Sequence, residues 1–180
     1  MADDATTHGR IRALAALLEL DTENRQLPPI VVASLAAVSQ RTLDRDAFQA
    51  ACHLVAVGQR VNLGDLMGRW QGMGYRVERA VETPGTVSRR GGILDIYSPG
   101  AQLPARVELV GDVVESIRLF DPASQRSVKP VQQVLILPAQ EALPALVPQA
   151  TVEEMYSHLN ASNCTPATRE RITEEMTLLL

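Results

Sequence analysis

The chain has 180 residues, 46% of them apolar, and a formal charge of −4, enough to bury one sizeable core or two modest ones. No apolar run approaches the roughly 20 residues that span a bilayer, and the acidic start Met1-Ala2-Asp3-Asp4 stands where a secretory leader would be basic, so a cytoplasmic location without membrane contact is expected. The acidic balance argues against a dedicated nucleic-acid binder, while Cys52, Cys164, His8, His53 and His158 are too scattered for a zinc site and leave the cysteines as reduced thiols.

Residues 10–20 carry apolar side chains at helical spacing, Ile11, Leu14, Leu17 and Leu18, and read as an amphipathic helix. Pro28-Pro29 breaks the chain before Ile30-Val31-Val32-Ala33-Ser34, a short apolar run of the kind buried on both faces of a sheet. Residues 35–40 read as a brief helix, residues 44–52 as a second helical segment, and residues 53–61 as a strand entering a turn. Asn62 can cap a helix whose apolar positions are Leu63, Leu66, Met67 and Trp70. It should end near Gly72-Met73-Gly74, where glycine supports a left-handed terminus.

From Tyr75 onward the pattern is that of an antiparallel sheet, with strands expected over residues 75–81, 86–97, 105–110, 113–120 and 131–137. Gly111-Asp112 reads as a two-residue hairpin turn that pairs Val110 with Val113 and Leu109 with Val114. Glu108 then faces Glu115, and opposed like charges require either a solvated face or a bulge that shifts the register. After Pro138 the sequence turns rich in Ala, Leu and Pro, which marks a boundary. Residues 151–154 and 165–170 both open as helices open, the second with Thr165 at the cap and Pro166 at the first helical position. The end at Leu178-Leu179-Leu180, with no capping residue, reads as that of a piece of something longer.

Catalytic chemistry finds no foothold. A P-loop needs a Lys between a Gly-rich turn and a helix, and the one lysine, Lys129, lies between Val128 and Pro130. Gly68, Gly72 and Gly74 sit at a helix end rather than between strand and helix. No serine occupies a G-x-S-x-G turn and neither cysteine has a recognisable histidine partner. The pairs Glu153-Glu154 and Glu174-Glu175 would point about 100° apart on a helix and read as solvated faces.

Binding remains. Sixteen of the 17 basic residues are Arg, and residues 75–130 hold eight basic and seven acidic side chains against two and six over residues 131–180. Arginine suits a protein interface because its planar fork pairs bidentately, stacks on aromatics and tolerates desolvation. Alternation puts Val107 and Leu109 toward a core and Arg106, Glu108 and Val110 on the opposite face, so Arg106 is expected to project outward with Val110 beside it. Strict alternation puts Arg90 with Leu94 and Ile96 on the buried side unless Gly91-Gly92 forms a bulge that turns it outward. For either arginine the residues alone favour an intramolecular surface salt bridge of little energetic weight.

Gly74-Tyr75, Pro84-Gly85, Arg90-Gly91-Gly92-Ile93-Leu94-Asp95-Ile96, Arg106-Val107-Glu108, Phe120-Asp121-Pro122, Gln125-Arg126-Ser127 and Leu137-Pro138-Ala139-Gln140-Glu141 resemble, in order and spacing, the second domain of the bacterial transcription-repair coupling factors (Mfd). That fold is shared with the excision-repair helicase subunit UvrB. The Asp-Pro-x-x-Gln-Arg-Ser segment is closer to Mfd, and the aromatic-rich DNA-gripping hairpin of UvrB has no counterpart among the six aromatic residues here.

The resemblance implies an α+β fold, with a UvrB domain-2-like antiparallel sheet and packed helices over residues 51–140. Residues 1–50 would contribute α/β elements of a first UvrB-like domain, and residues 141–180 a helical return to it. It further implies a non-catalytic module that recruits UvrA to stalled RNA polymerase, with Arg90 and Arg106 on the UvrA-facing surface. Val110 falls where the family carries an aromatic residue, and offers less contact area. Other domains of the intact protein are expected to mask this surface until activation. ATP and magnesium would serve only a motor outside these residues, so no cofactor and no direct nucleic-acid contact are expected of this chain. The alternative is a nucleic-acid-binding accessory domain of a UvrB-like repair helicase, which would shift DNA in a salt-dependent way.

Overall fold

Asn62 starts the helix around which the main core is built. Its side-chain oxygen accepts from the amides of Gly64 and Asp65 at 2.8 and 3.2 Å, satisfying donors that the first turn leaves orphaned. The helix stops at Met73, and the following Gly74 takes a φ of +88° that favours glycine. The structure is a computed structural model and describes residues 4–18, 30–39, 42–141, 164–168 and 170.

The elements run α1 (Asp4–Leu17), α2 (Leu35–Ser39), α3 (Arg45–Ala51), β1 (His53–Ala56), α4 (Leu63–Gly72), β2 (Arg76–Val77), β3 (Thr86–Arg90), β4 (Ile93–Tyr97), β5 (Ala105–Val110), β6 (Val113–Phe120), β7 (Ser127–Val131) and β8 (Gln133–Ile136). Strands β2 to β7 form one six-stranded sheet in chain order, and β1 pairs with β8 in a second, two-stranded sheet. The β2–β3 pair is parallel and the other neighbours are antiparallel, so the α+β fold is built on a mixed sheet. Strand β7 lies at its edge and carries Lys129 and Pro130. The chain divides into two compact units, Met1–Ala142 and Leu143–Leu180.

Leu66 and Trp70 of α4 join Val87, Leu94, Ile96, Val107, Val114 and Ile117 of the large sheet and Val55 and Ile136 of the small one in a single buried cluster. Each such side chain contributes about 1.5–3 kcal/mol by leaving water. A second cluster joins Ile11 and Ala15 of α1 to Phe48 of α3 and Leu137. Asp44 caps α3 by accepting from the Ala47 amide at 2.8 Å. Near the C-terminus, residues 166–168 are helical and Thr165 Oγ1 accepts from the Thr168 amide at 3.3 Å, as the Thr-Pro opening leads one to expect. The helix expected from residue 151 lies outside the described residues.

Several expectations are corrected. Residues 30–34 form no strand: they are irregular, and Ile30 and Val32 are each 93% exposed, because no strand among the described residues pairs with them. The first helix begins earlier than the apolar spacing suggests, and its Leu17 is exposed. Of residues 75–81 only Arg76–Val77 is strand. Residues 127–137 divide into β7 and β8, which join different sheets. Residues 86–97 are two strands rather than one, with consequences for Arg90 described below.

The Gly111-Asp112 turn pairs Val110 with Val113 and Leu109 with Val114, and a bulge then brings Glu108 opposite Ser116 instead of Glu115. The extra residue, Glu115, is exposed while both Val114 and Ile117 are buried. Strict alternation could not place residues three apart on one face. Ser116 Oγ donates to Glu108 Oε2 at 2.8 Å, replacing the repulsion with a hydrogen bond.

Trp70 Nε1 donates to His53 Nδ1 at 3.2 Å inside the core, which requires a neutral imidazole. Burial, reinforced by the Arg69 charge, pushes the His53 pKa down to about 4. The unfolded chain takes up this proton near pH 6.5, so acidification from about pH 6.5 to 4 favours unfolding, and neutral pH restores the lost stability. Chemical denaturation at pH 7 and pH 4.5 should show the wild type losing on the order of 2 kcal/mol through this group. His53→Gln, which cannot titrate, should lose correspondingly less between the two pH values.

Candidate protein-interaction surface

Gly91 and Gly92 form a two-residue turn between β3 and β4, with Arg90 opposite Ile93, Arg89 opposite Leu94 and Ser88 opposite Asp95. Gly91 has a φ of +62°. A Cβ on Gly92 would lie 2.9 Å from the Leu109 carbonyl oxygen, and the Leu109 amide donates to the Gly92 carbonyl at 2.8 Å. The turn is therefore held against the end of β5, one residue from Val110. Reversing direction within two residues puts Arg90 on the face of Ile93 and Asp95, so no bulge is needed to free it from the side of Leu94 and Ile96.

Cross-strand pairing aligns Ser88, Asp95, Arg106 and Arg118 in one row across β3 to β6. Asp95 is 1% exposed along its side chain, and a carboxylate so placed requires partners. Its Oδ1 accepts from Arg106 Nε at 2.7 Å, and its Oδ2 accepts from Arg106 Nη2 at 2.9 Å and from Arg90 Nη2 at 2.6 Å. One anion thus joins two cations.

Arg106 is almost wholly occupied within the fold. Besides its bidentate pair, Nη1 donates to the Gln125 carbonyl at 3.4 Å, and the guanidinium lies 4.6 Å from the ring centre of Phe120, within cation–π range. The hydrogen bonds to Asp95 raise its pKa further above the usual range. Its side chain is 15% exposed, which corrects the expectation that it projects freely outward. Arg118, directly opposite, leans to Glu108 at 3.7 Å, which eases a like-charge opposition across the strands.

Two segments cover this part of the sheet. Ser88 Oγ donates to the Arg79 carbonyl at 3.0 Å, while Gln125 Nε2 donates to the carbonyls of Val81 and Pro122 at 3.2 and 2.8 Å. Val81 and Phe120 are fully buried. The turn that carries Gln125 is closed by Asp121, which accepts from the Ser124 amide and hydroxyl, both at 2.7 Å; these bonds lower the Asp121 pKa.

Arg90 and Val110 lie beyond this cover. The Arg90 side chain is 52% exposed and only its Nη2 is engaged among the described residues. Val110 is 66% exposed. The two expected arginines are therefore brought together by Asp95, but one forms an open edge and the other a half-buried brace. Sequence reasoning missed the central role of Asp95 and the Phe120 platform. Gly91-Gly92 between two β-rich runs was the signal that places Asp95 on the face of Arg90.

Reactive chemistry stays weak elsewhere. Burial pushes the Cys52 thiol up to about 11, and its Sγ donates to the Phe48 carbonyl at 3.2 Å, so it is a poor nucleophile. Among the described residues no three His, Cys, Asp or Glu side chains gather to hold a metal ion, and no helix is long and apolar enough to cross a membrane.

A family profile described as the UvrB interaction domain matches residues 54–141, from β1 to just beyond β8. The match covers just under half of the chain. The chain is also similar to the transcription-repair-coupling factor of Myxococcus xanthus, with 41% identity over 130 residues, 72% of this chain and 11% of that relative. The corresponding Bacillus subtilis (strain 168) protein is 36% identical over 115 residues, 64% of this chain and 10% of the relative. The UvrABC system protein B of Thermosipho africanus (strain TCF52B) is 30% identical over 112 residues, 62% of this chain and 17% of the relative. The chain thus spans only about a tenth of the length of the coupling factors it matches.

Within the matched segment the two arginines should differ sharply in their effect on folding. Arg106→Ala leaves the buried Asp95 with a single partner, and should cost on the order of 3 kcal/mol in chemical denaturation. Arg90→Ala removes a half-exposed pair and should cost less than about 1 kcal/mol.

Proposed function

We propose that this chain is a non-catalytic recruitment module of a transcription-coupled DNA repair factor, and that it docks UvrA through the end of the sheet bearing Arg90 and Val110. The observation that carries this reading is the open guanidinium edge of Arg90, fixed on a buried carboxylate, on a sheet that also exposes Val110 near the Gly91-Gly92 turn, within a segment that matches the UvrB interaction domain. An arginine with a free edge and an exposed apolar side chain on one rigid β scaffold are the kinds of group from which hot spots are built. Arg106 supports the patch from beneath, by holding Asp95 in place.

In the longer polypeptide this recruitment serves sites of stalled RNA polymerase in the cytoplasm, and other domains of the same protein cover the patch before activation. ATP and magnesium belong to the motor of that longer protein, and this chain needs no cofactor for docking.

UvrA affinity, measured by calorimetry or surface capture with this chain, tests the assignment. Arg90→Ala should weaken binding by on the order of 2 kcal/mol without unfolding the domain, and Val110→Asp by about tenfold. Wild-type affinity in both variants would reject the assigned patch. A salt-dependent shift of labelled DNA by the chain alone would instead favour a nucleic-acid accessory role.

A further inference from the structure

Arg90 does not hang free as an isolated surface arginine would. Its Nη2 is held at 2.6 Å by Asp95 Oδ2, while Asp95 is itself locked by Arg106 Nε and Nη2 at 2.7 and 2.9 Å. Arg106 is fixed in turn by the Phe120 ring and the Gln125 carbonyl. The chain of contacts runs from a fully buried aromatic residue to a half-exposed cation, and each link restricts the next. Two cations on one carboxylate leave the cluster with a net positive charge, so an acidic acceptor on the partner completes it.

We propose that Asp95 is a positioning residue for the docking contact: it holds Arg90 by one nitrogen so that Nε and Nη1 stay available in a fixed orientation for a carboxylate of UvrA. This rests on the reading of the Arg90 and Val110 patch as the UvrA contact. Immobilising a long side chain on binding weakens association by about two- to tenfold, and Asp95 removes that penalty before the partner arrives. Asp95 touches no partner atom itself, being buried behind the arginine it orients.

The test combines a signal from the free protein with a binding cycle. In ¹⁵N-labelled chain, the Arg90 Nη2 resonance, assigned by its loss in Arg90→Ala, should be dispersed and slowed in rotation and exchange by its bond to Asp95, and should collapse to a free-arginine position in Asp95→Asn. A free-arginine signal in the wild type overturns the proposal. UvrA affinity is then measured for wild type, Asp95→Asn, Arg90→Ala and the double variant. Asp95→Asn should weaken binding about fivefold in the wild-type background, and should add almost nothing once Arg90 is gone.

An equal loss in both backgrounds would mean that Asp95 acts through the general fold, overturning positioning while the docking patch stands. If Arg90→Ala alone leaves affinity unchanged, the docking reading fails and the positioning role with it. Should Asp95→Asn fail to fold, Arg90→Lys decides the matter, since lysine keeps the charge but lacks a planar fork that can serve Asp95 and a partner at once. Its affinity should fall about fivefold at an unchanged thermal midpoint, and wild-type binding by Arg90→Lys overturns the proposal.

Discussion

The outer face of the large sheet is organised by one carboxylate out of reach of solvent. A buried Asp95 without partners would carry a heavy desolvation cost, and both nearby guanidinium groups converge on it. The constraint extends outward. Arg106 must lie flat to meet both Asp95 oxygens, which places it over Phe120; the Gln125 carbonyl then meets its remaining nitrogen. The segment containing Val81 is tied down by the Gln125 side chain. A polar row thereby acts as the centre of a small second layer on a sheet whose other face packs Leu94, Ile96, Val107 and Ile117 into the apolar core.

Elements with strong local chemistry could be read from the sequence. Asn62 followed by Leu63, Leu66, Met67 and Trp70 contains both the cap and the buried stripe of α4. Gly111-Asp112 defines its hairpin, and the clash it sets up between Glu108 and Glu115 is relieved by a bulge. What escaped was information held in pairing between distant segments. The run Ile30-Val31-Val32 has the composition of a buried strand, yet the described residues supply no neighbour to pair with it. Ser127-Val128-Lys129-Pro130 has little strand character of its own, and becomes β7 through pairing with β6.

The same distinction runs through the candidate site. Arginine as the interface residue type could be argued from its chemistry, but the difference between Arg90 and Arg106 could not. That difference arises from a two-residue reversal at Gly91-Gly92, which changes the face that every residue of β3 shares with β4. Treating residues 86–97 as one strand placed Arg90 beside Leu94 and hid its link to Asp95. Once the register is right, the exposed residues and the residues that stabilise the domain fall into separate groups.

Strand β7 limits how another molecule can approach. An outermost strand normally offers unmet backbone groups that invite a further strand from a neighbouring chain. Here Pro130 has no amide hydrogen to give and Lys129 adds charge where an incoming backbone would settle. Growth by strand addition on that side is discouraged, which protects the molecule from stacking with its own copies. On that side a visitor meets side chains, and recognition depends on shape and charge rather than on the backbone common to all proteins.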